Sequence, residues 1–241
     1  MSSVTRTVFY RELFTGLYSP TRFALFAVYL AMVSVFMTTA LQLGEGKFWT
    51  LSSLWTLSAG LPLPIIVSLV TMPLFAGERS AGTYEMLALL PTPMRKVVIG
   101  KFASTFLFVV AALAIALIPW MVLSATLGTA APSATMLCAP IACLLLHAFS
   151  WTALGVLTSS ISRRPWLAAA GTLLVGIALM AIWAAFSQLS IFPHLRVSPY
   201  PIWDELLDAS AGRVMLHSIV FHIMFGLWCL FLSVQVLEAR R

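Results

Sequence analysis

Few residues of this chain could take part in acid–base chemistry within its long apolar stretches. Apart from cysteine thiols, the titratable groups at depth in those stretches are His147 and His222. They could relay a proton, or they could be packed and hydrogen-bonded, which is the interpretation we favour. Asp, Glu, Lys and Arg, which usually mark an ion or proton pathway inside a membrane, are missing from the interior of these stretches. The sequence therefore does not predict a self-powered transporter.

Enzyme motifs are also missing from the sequence. It contains no H-E-x-x-H and no G-x-S-x-G. The pair Gly100–Lys101 looks like the end of a phosphate-binding P-loop. However, Phe102 stands where that motif needs Ser or Thr, and Arg95 stands where it needs its first glycine. We therefore predict a non-catalytic chain with no catalytic, cofactor-binding or metal-binding residue of its own.

An acidic stretch near the C-terminus, residues 199–213, could be interpreted as a metal site. Its apolar residues follow i, i+3, i+4 spacing, which is typical of one face of a helix. We therefore favour an amphipathic helix that lies on the outer leaflet and ends at Gly212, with its acids on the wet face. The apolar residues are Trp203, Leu206 and Leu207, and the acids are Asp204, Glu205 and Asp208.

The three cysteines, Cys138, Cys143 and Cys229, all lie in apolar runs and form no C-x-x-C pair. Free cysteine is among the most often buried residue types. We predict three small buried side chains, with no disulfide framework and no metal site.

The composition places the chain in the membrane. It has 241 residues, of which 61% are apolar and 9% charged, whereas soluble domains are roughly 25% charged. A membrane-spanning helix needs about 20 apolar residues. The charge-free runs predict one all-α domain over 1–241 with six spans, near 22–43, 54–76, 101–124, 135–158, 166–190 and 214–236.

The basic residues predict the orientation. With six spans both termini lie on one side, and that side carries eleven of the fourteen Lys and Arg. The positive-inside rule therefore places both termini in the cytoplasm. The formal charge of +6 is explained by topology and by contact with anionic lipid, so we expect no nucleic-acid partner.

Residues 4–19 predict a helix in the membrane interface that Pro20 ends before the first span. At 100° per residue, one face is apolar and the opposite face is polar. The apolar face holds Phe9, Tyr10, Leu13, Phe14 and Leu17, and the polar face holds Arg11, Glu12 and Thr15.

The loop at 77–101 holds six charged residues between two long apolar stretches. Thr83 can cap a short helix that has Glu85 in its first turn and stops at Pro91. A second helix then begins at Thr92–Pro93 and carries Lys101 through the headgroup layer into the third span. Such a stiff helix–hinge–helix fits a segment that receives force from a soluble partner.

The segment FAGERSAGTYEMLALLPTPMRKVVIGKF resembles the loop after the second span of ABC-2 type transporter permeases. The tail VMLHSIVFHIMFGLWCLFLSVQVLEARR is similar to the last span of the gliding-motility (GldF-like) branch. The residues that match the loop motif are Glu78, Gly82, Thr83, Glu85, Leu87, Leu90, Pro91, Gly100 and Lys101.

This resemblance implies a permease that pairs with a second copy or a paralogue in the bacterial cytoplasmic (inner) membrane. It also implies a separate ABC ATPase that carries the ATP and Mg²⁺ and docks on a coupling helix in the loop, with an accessory extracytoplasmic subunit as a further candidate partner. Transferred by motif, the docking residues are Glu78, Arg79, Gly82, Thr83, Tyr84, Glu85, Leu87, Leu90 and Pro91.

Three functions remain open from the sequence. The first is the permease subunit of an ATP-driven exporter of unidentified substrate. The second is a non-transporting component that transmits ATPase-driven motion to a surface or gliding-type machine. The third is a self-powered secondary transporter or channel, which the lack of charge within the spans disfavours.

Overall fold

A computed structural model describes residues 3–43, 51–85, 92–126, 134–188 and 201–240. All of the elements in these ranges are α-helices, which we number in chain order. They are α1 (Ser3–Leu17), α2 (Pro20–Leu43), α3 (Leu51–Gly60), α4 (Leu63–Thr71), α5 (Ala76–Ser80), α6 (Met94–Thr126), α7 (Ala134–Ile161), α8 (Pro165–Gln188), α9 (Pro201–Ser210) and α10 (Leu216–Glu238).

The six predicted spans are confirmed by helices that are long and apolar enough to cross a membrane. Their bounds differ from the predicted ones by one to eight residues. The six stretches are Pro20–Thr39, Ser52–Ser80, Met94–Leu123, Leu137–Ile161, Pro165–Ile182 and Leu216–Glu238.

The second and fourth spans form the centre of the bundle. In each of them 67% of the apolar window is buried, against 17–28% in the other four. Helix α7, which contains the fourth span, packs against α3, α4, α6, α8, α9 and α10. Small residues allow this close packing. A Cβ on Gly155 would overlap Thr71, and one on Gly176 would overlap Trp151, so Gly176 serves the packing of this fold.

The second span is broken twice, although the sequence predicts one continuous helix there. Pro62 and Pro64 have no N–H to continue the hydrogen-bond ladder, so α3 and α4 are separate helices. Tyr29 Oη, from α2, donates to the Ala59 carbonyl at this first break (3.0 Å). The second break, after Thr71, leads into α5. Both breaks are tolerated because this span is buried in protein rather than exposed to lipid.

Two ends of the bundle can be distinguished by their contacts. The α5 end holds α5, the α7–α8 connection and the C-terminus of α10, because Arg79 Nη1 donates to Ser162 O (3.1 Å) and Arg240 Nη1 to Ile161 O (3.0 Å). Helix α9 lies between the far end of α8 and the start of α10, so we call the opposite end the α9 end.

Helix α9 is not placed as the sequence predicts. It ends near Gly212 as expected, where φ is 81°, but its apolar side packs against α3 and α7 instead of facing lipid. Leu206 is 1% exposed, and its side chain lies against Gly60 and beside Leu144. The prediction of a helix on the outer leaflet is wrong on this point, because the first break in span 2 leaves a notch that α9 fills.

The cysteine prediction is partly wrong. Cys143 and Cys229 are buried and all three thiols are free, but Cys138 is exposed. Cys138 lies in the first turns of α7, where that helix is less enclosed by its neighbours than in its central part.

Candidate functional site

The end of span 2 forms a sharp bend, residues 72–85, which we call the elbow. No side chain of its own caps the start of α5 at Phe75. Instead the N–H groups of Phe75 (3.0 Å) and Ala76 (3.2 Å) donate to Ser159 Oγ, from α7. The same hydroxyl donates to the Met72 carbonyl (3.1 Å). Ser159 therefore acts as an N-cap supplied by another helix, and it joins the elbow to the centre of the bundle.

A buried lysine joins the elbow to two other helices. Lys101, in α6, is 2% exposed. Its Nζ donates to Glu78 Oε1 (2.7 Å) in α5, to Glu12 Oε1 (2.8 Å) in α1 and to the Leu74 carbonyl (2.9 Å). All three donors of the ammonium are used, which is what a buried lysine requires. We call Glu12, Glu78 and Lys101 the charge cluster.

One sequence prediction fails at the charge cluster. Glu12 was expected on a wet face of α1, yet its carboxylate pairs with the buried Lys101. Gly100 is the reason: a Cβ there would lie 2.9 Å from Val8 Cγ1 and 3.2 Å from the Thr5 carbonyl. Because Gly100 has no Cβ, α1 can approach α6 closely, and Glu12, one turn after Val8, reaches Lys101.

The predicted apolar face of α1 consequently points away from α6. Tyr10 is 44% exposed and Phe14 53% exposed, which suits a helix whose aromatic side is covered by lipid. The helix itself, and its end before Pro20, are confirmed.

On its other side the elbow is held by Arg79. Its Nη1 donates to the Ser162 carbonyl in the α7–α8 connection (3.1 Å), and its guanidinium lies 4.6 Å from the centre of the Tyr84 ring. A planar guanidinium can donate hydrogen bonds at its edge and stack its face on an aromatic ring, so Arg79 makes both contacts at once. The elbow is thus attached to α1 and α6 through Lys101, and to α7 and α8 through Ser159 and Arg79.

The tip of the elbow is a tight helix end. Gly82 has a φ of 71°, a conformation that favours glycine. Its N–H donates to Arg79 O (3.2 Å) and the Thr83 N–H to Glu78 O (2.9 Å), which is the Schellman arrangement. Gly82, Thr83 and Glu85 are exposed, so they present the tip away from the bundle.

The remaining predicted docking residues, Leu87, Leu90 and Pro91, lie outside the described residues, as does most of the helix predicted from Thr83. The helix predicted from Thr92–Pro93 is confirmed within one residue, since α6 begins at Met94 and continues into the third span.

A second polar cluster lies toward the α9 end, between α7, α9 and α10. His222 Nε2 lies 3.0 Å from Glu205 Oε1, and Ser150 Oγ lies 2.6 Å from His222 Nδ1. The Ser218 hydroxyl also donates to Glu205. We call Ser150, Glu205, Ser218 and His222 the His222 cluster. Glu205 therefore faces the protein interior rather than the wet side predicted for it, because α9 is seated in the bundle.

Ser150, His222 and Glu205 are hydrogen-bonded in the same sequence as the serine, histidine and acid of a catalytic triad. They do not form an active site. Ser150 is 4% exposed, and its hydroxyl also lies 3.2 Å from the carbonyl oxygens of Leu146 and His222. A nucleophile needs an approach for its substrate. Among the described residues, no group of three His, Cys, Asp or Glu is placed to hold a metal ion.

Sequence reasoning missed Glu12 and Ser159 as site residues. A signal existed for Glu12, since a lysine at the start of an apolar span requires a partner if it faces inward. None existed for Ser159, because the N–H groups that it caps are more than 80 residues away in the chain.

Comparison with known proteins agrees with this architecture. No curated protein sequence matches the chain. A sequence model of the family described as "ABC-2 family transporter protein" matches residues 23–201, about three quarters of the chain. Members of that family are typically non-catalytic membrane components, and membership implies an ABC ATPase as partner. The chain, with its six apolar helices, belongs to the ABC-2 transporter family as a multi-pass permease component.

Proposed function

We propose that this chain is the membrane subunit of an ATP-driven exporter and that a separate ABC ATPase docks on its elbow. The observation that carries the proposal is the attachment of one exposed bend to four different helices. Lys101 joins it to α1 and α6, and Ser159 with Arg79 joins it to α7 and the start of α8.

Orientation supports the same assignment. The elbow lies at the end of the bundle that carries most of the basic residues, among them Arg79, Arg163 and Arg240. The positive-inside rule makes that end cytoplasmic, which is where a soluble ATPase would be. ATP and Mg²⁺ then bind to the ATPase, and this chain contributes no cofactor site.

Force would pass through the elbow because its contacts are short, charged and buried. A push on the exposed tip at Gly82–Glu85 displaces α5 first. Glu78 then moves Lys101, and Arg79 moves the α7–α8 connection. Buried charge-assisted hydrogen bonds are costly to break, so the helices attached to α5 move with it instead of separating from it.

The remaining parts of the assembly are proposed from the family. A second copy or a paralogue completes the path across the bacterial inner membrane, with an accessory extracytoplasmic subunit as an additional candidate. The tail is similar to the gliding-motility branch, so a component that transmits motion without transporting a cargo is the alternative function. Transport and transmission of motion are therefore tested separately.

The test is co-purification of this chain with its ATPase in mild detergent. Glu85→Arg, at the exposed tip, should abolish co-purification without changing insertion of the six spans, and so should Leu87→Asp combined with Leu90→Asp. The matched control is Glu238→Arg, which reverses an exposed glutamate at the same end of the bundle. Unchanged co-purification of both elbow variants would refute the docking assignment.

Reconstituted vesicles separate the two ATP-driven functions. ATP-dependent movement of a cargo with the permease and its ATPase supports an exporter. ATP hydrolysis that depends on an intact elbow but moves no cargo supports transmission of motion instead.

A further inference from the structure

The His222 cluster does not belong to the elbow and has no part in the proposed docking. It lies well inside the bundle, since His222 is six residues into α10 and Leu144, beside the seated α9, is ten residues into α7. At about 1.5 Å per residue, α9 reaches some 9 to 15 Å below the helix ends. We propose that Glu205 and His222 form a proton-binding latch: proton uptake by His222 strengthens the attachment of α9 to the bundle, and proton loss weakens it.

The cluster satisfies both ring nitrogens of His222 in either charge state. When the ring is neutral, Nε2–H donates to the Glu205 carboxylate (3.0 and 3.3 Å) and the Ser150 hydroxyl donates to Nδ1 (2.6 Å). When the ring is protonated, Nδ1–H donates to Ser150 Oγ. The serine hydroxyl then turns to the carbonyl of Leu146 or of His222, each 3.2 Å away. A hydroxyl can reverse its role in this way, whereas a lysine or an amide N–H cannot.

The two states differ in how strongly they hold α9. Glu205 is on α9 and His222 is on α10, so a neutral ring holds α9 by a hydrogen bond to a carboxylate. A protonated ring replaces that bond with an ion pair at the same distance, 3.0 Å. Charge-assisted hydrogen bonds between two ions are the stronger class. Protonation of the His222 ring therefore tightens the latch.

The neighbouring groups direct the proton to His222. From α7, the His147 ring lies 5.7 Å from the His222 ring, and Cys143 Sγ lies 4.0 Å from the Glu205 carbonyl oxygen. His147 is 2% exposed, and its Nε2 has no hydrogen-bond partner among the described residues. Two imidazolium rings so close would repel each other, and only His222 has a carboxylate beside it.

Other charged groups lie farther from the latch. Helix α3 contains no charged residue, and the charged residues of α6 lie in its first turns, at the α5 end. On α9, Asp208 is half-buried near the helix end, and on α10, His217 is exposed. Glu205 is thus the one carboxylate that the described residues place against His222.

The latch controls whether α9 remains in its notch. Leu206, next to Glu205, fills the space left by Gly60 at the first break of span 2. Cys143, beneath α9, is 2% exposed. If α9 lifts, the Glu205–His222 contact breaks and Cys143 becomes accessible. The latch does not require the ATPase, so it does not depend on the proposed docking function.

Cys143 provides the assay. In a parent carrying Cys138→Ser and Cys229→Ser, Cys143 is the remaining thiol, and its labelling by a membrane-permeable maleimide reports the lifting of α9. Each rate is divided by that of an SDS-denatured sample at the same pH, which cancels the reagent's own dependence on thiolate. The measurement uses the full chain in detergent, without nucleotide or ATPase.

Glu205→Gln and His222→Gln should label about tenfold or more faster than the parent, because each removes one partner of the Glu205–His222 bond that holds α9. The ratio of His222→Gln to parent should grow as the pH falls from about 8 to about 6, because the parent has a ring that can take up a proton and the variant does not. His217→Gln, an exposed histidine on the same helix, should label at the parent rate throughout.

Two results would overturn the proposal. Labelling of His222→Gln at the parent rate would mean that the pair does not hold α9, and a ratio that is constant with pH would mean that protonation does not matter. If the variants fold poorly, ¹⁵N NMR of ring-labelled histidine in the parent decides the matter. Ring shifts of His222 that do not change over the same pH range would also refute a proton-binding latch.

Discussion

Replacing Lys101 with Met keeps an unbranched side chain as far as Cε but removes the ammonium that pairs with Glu12 and Glu78. The two carboxylates are only 15% and 19% exposed, so water cannot fully replace the lost partner. Removing one member of a buried ion pair costs about 3–5 kcal/mol. Because both glutamates retain some contact with solvent, we expect Lys101→Met to lower the free energy of unfolding by about 3 kcal/mol, the low end of that range.

The loss should come from unpaired charge rather than from packing, and a triple variant distinguishes these causes. Combining Lys101→Met with Glu12→Met and Glu78→Met removes all three charges together and leaves apolar side chains of similar volume. Replacing a whole buried ionic group by such side chains is often close to neutral. The triple variant should therefore return to within about 1 kcal/mol of the wild type.

The assay is equilibrium unfolding in mixed micelles of dodecyl maltoside and SDS, followed by circular dichroism. Arg95→Met, an exposed basic residue on the same helix, is the matched control and should change stability by less than about 0.5 kcal/mol. If Lys101→Met were as stable as this control, the charge cluster would not stabilise the fold. If the triple variant were as unstable as the single one, lost packing would explain the result and our electrostatic argument would be wrong.

Three further predictions use the same unfolding assay. Ser159→Ala should lower the free energy of unfolding by about 1–3 kcal/mol because it leaves two buried N–H groups of the elbow unpaired. Ser160→Ala is the control and should be nearly neutral, because that hydroxyl donates locally within α7. Equal effects of the two variants would contradict the capping role. Gly176→Ala should cost about 1–3 kcal/mol because its methyl group would overlap Trp151 of α7. Gly171→Ala, whose methyl group would lie 3.8 Å from Thr158, should be tolerated. Gly82→Val should destabilise by about 1–2 kcal/mol because φ is 71° there, and wild-type stability in that variant would show that the elbow tip adapts freely.

The membrane class and the number of spans could be predicted because they depend on local composition. A run of about 20 apolar residues must leave water wherever its neighbours lie, and the six predicted spans were accordingly found as six helical spans. Proline and glycine also act locally on where a helix begins or ends. The helix start after Pro93 and the helix end near Gly212 were therefore predicted correctly. The loop motif was sufficient to identify the family that the comparison then confirmed.

The partners of the polar side chains could not be predicted in the same way. Helical periodicity shows which residues share a face, but not whether that face meets water, lipid or another helix. Glu12 and Glu205 were both assigned to wet faces by periodicity, and both pair with side chains from other helices. The two breaks in span 2 were missed for a related reason, since proline in a membrane helix is tolerated only where neighbours satisfy the freed backbone groups.

The sequence by itself determined that this protein is a bundle of six membrane helices with a charged loop after the second, because hydrophobicity and turn chemistry act over a few residues. Only the tertiary structure decided that Lys101 joins α1, α5 and α6, that Ser159 caps the elbow from α7, and that α9 is seated in the notch of span 2 beside His222. These contacts join residues far apart in the chain. The approach of α1 to α6 also depends on the missing side chain of Gly100, and the seating of α9 on that of Gly60.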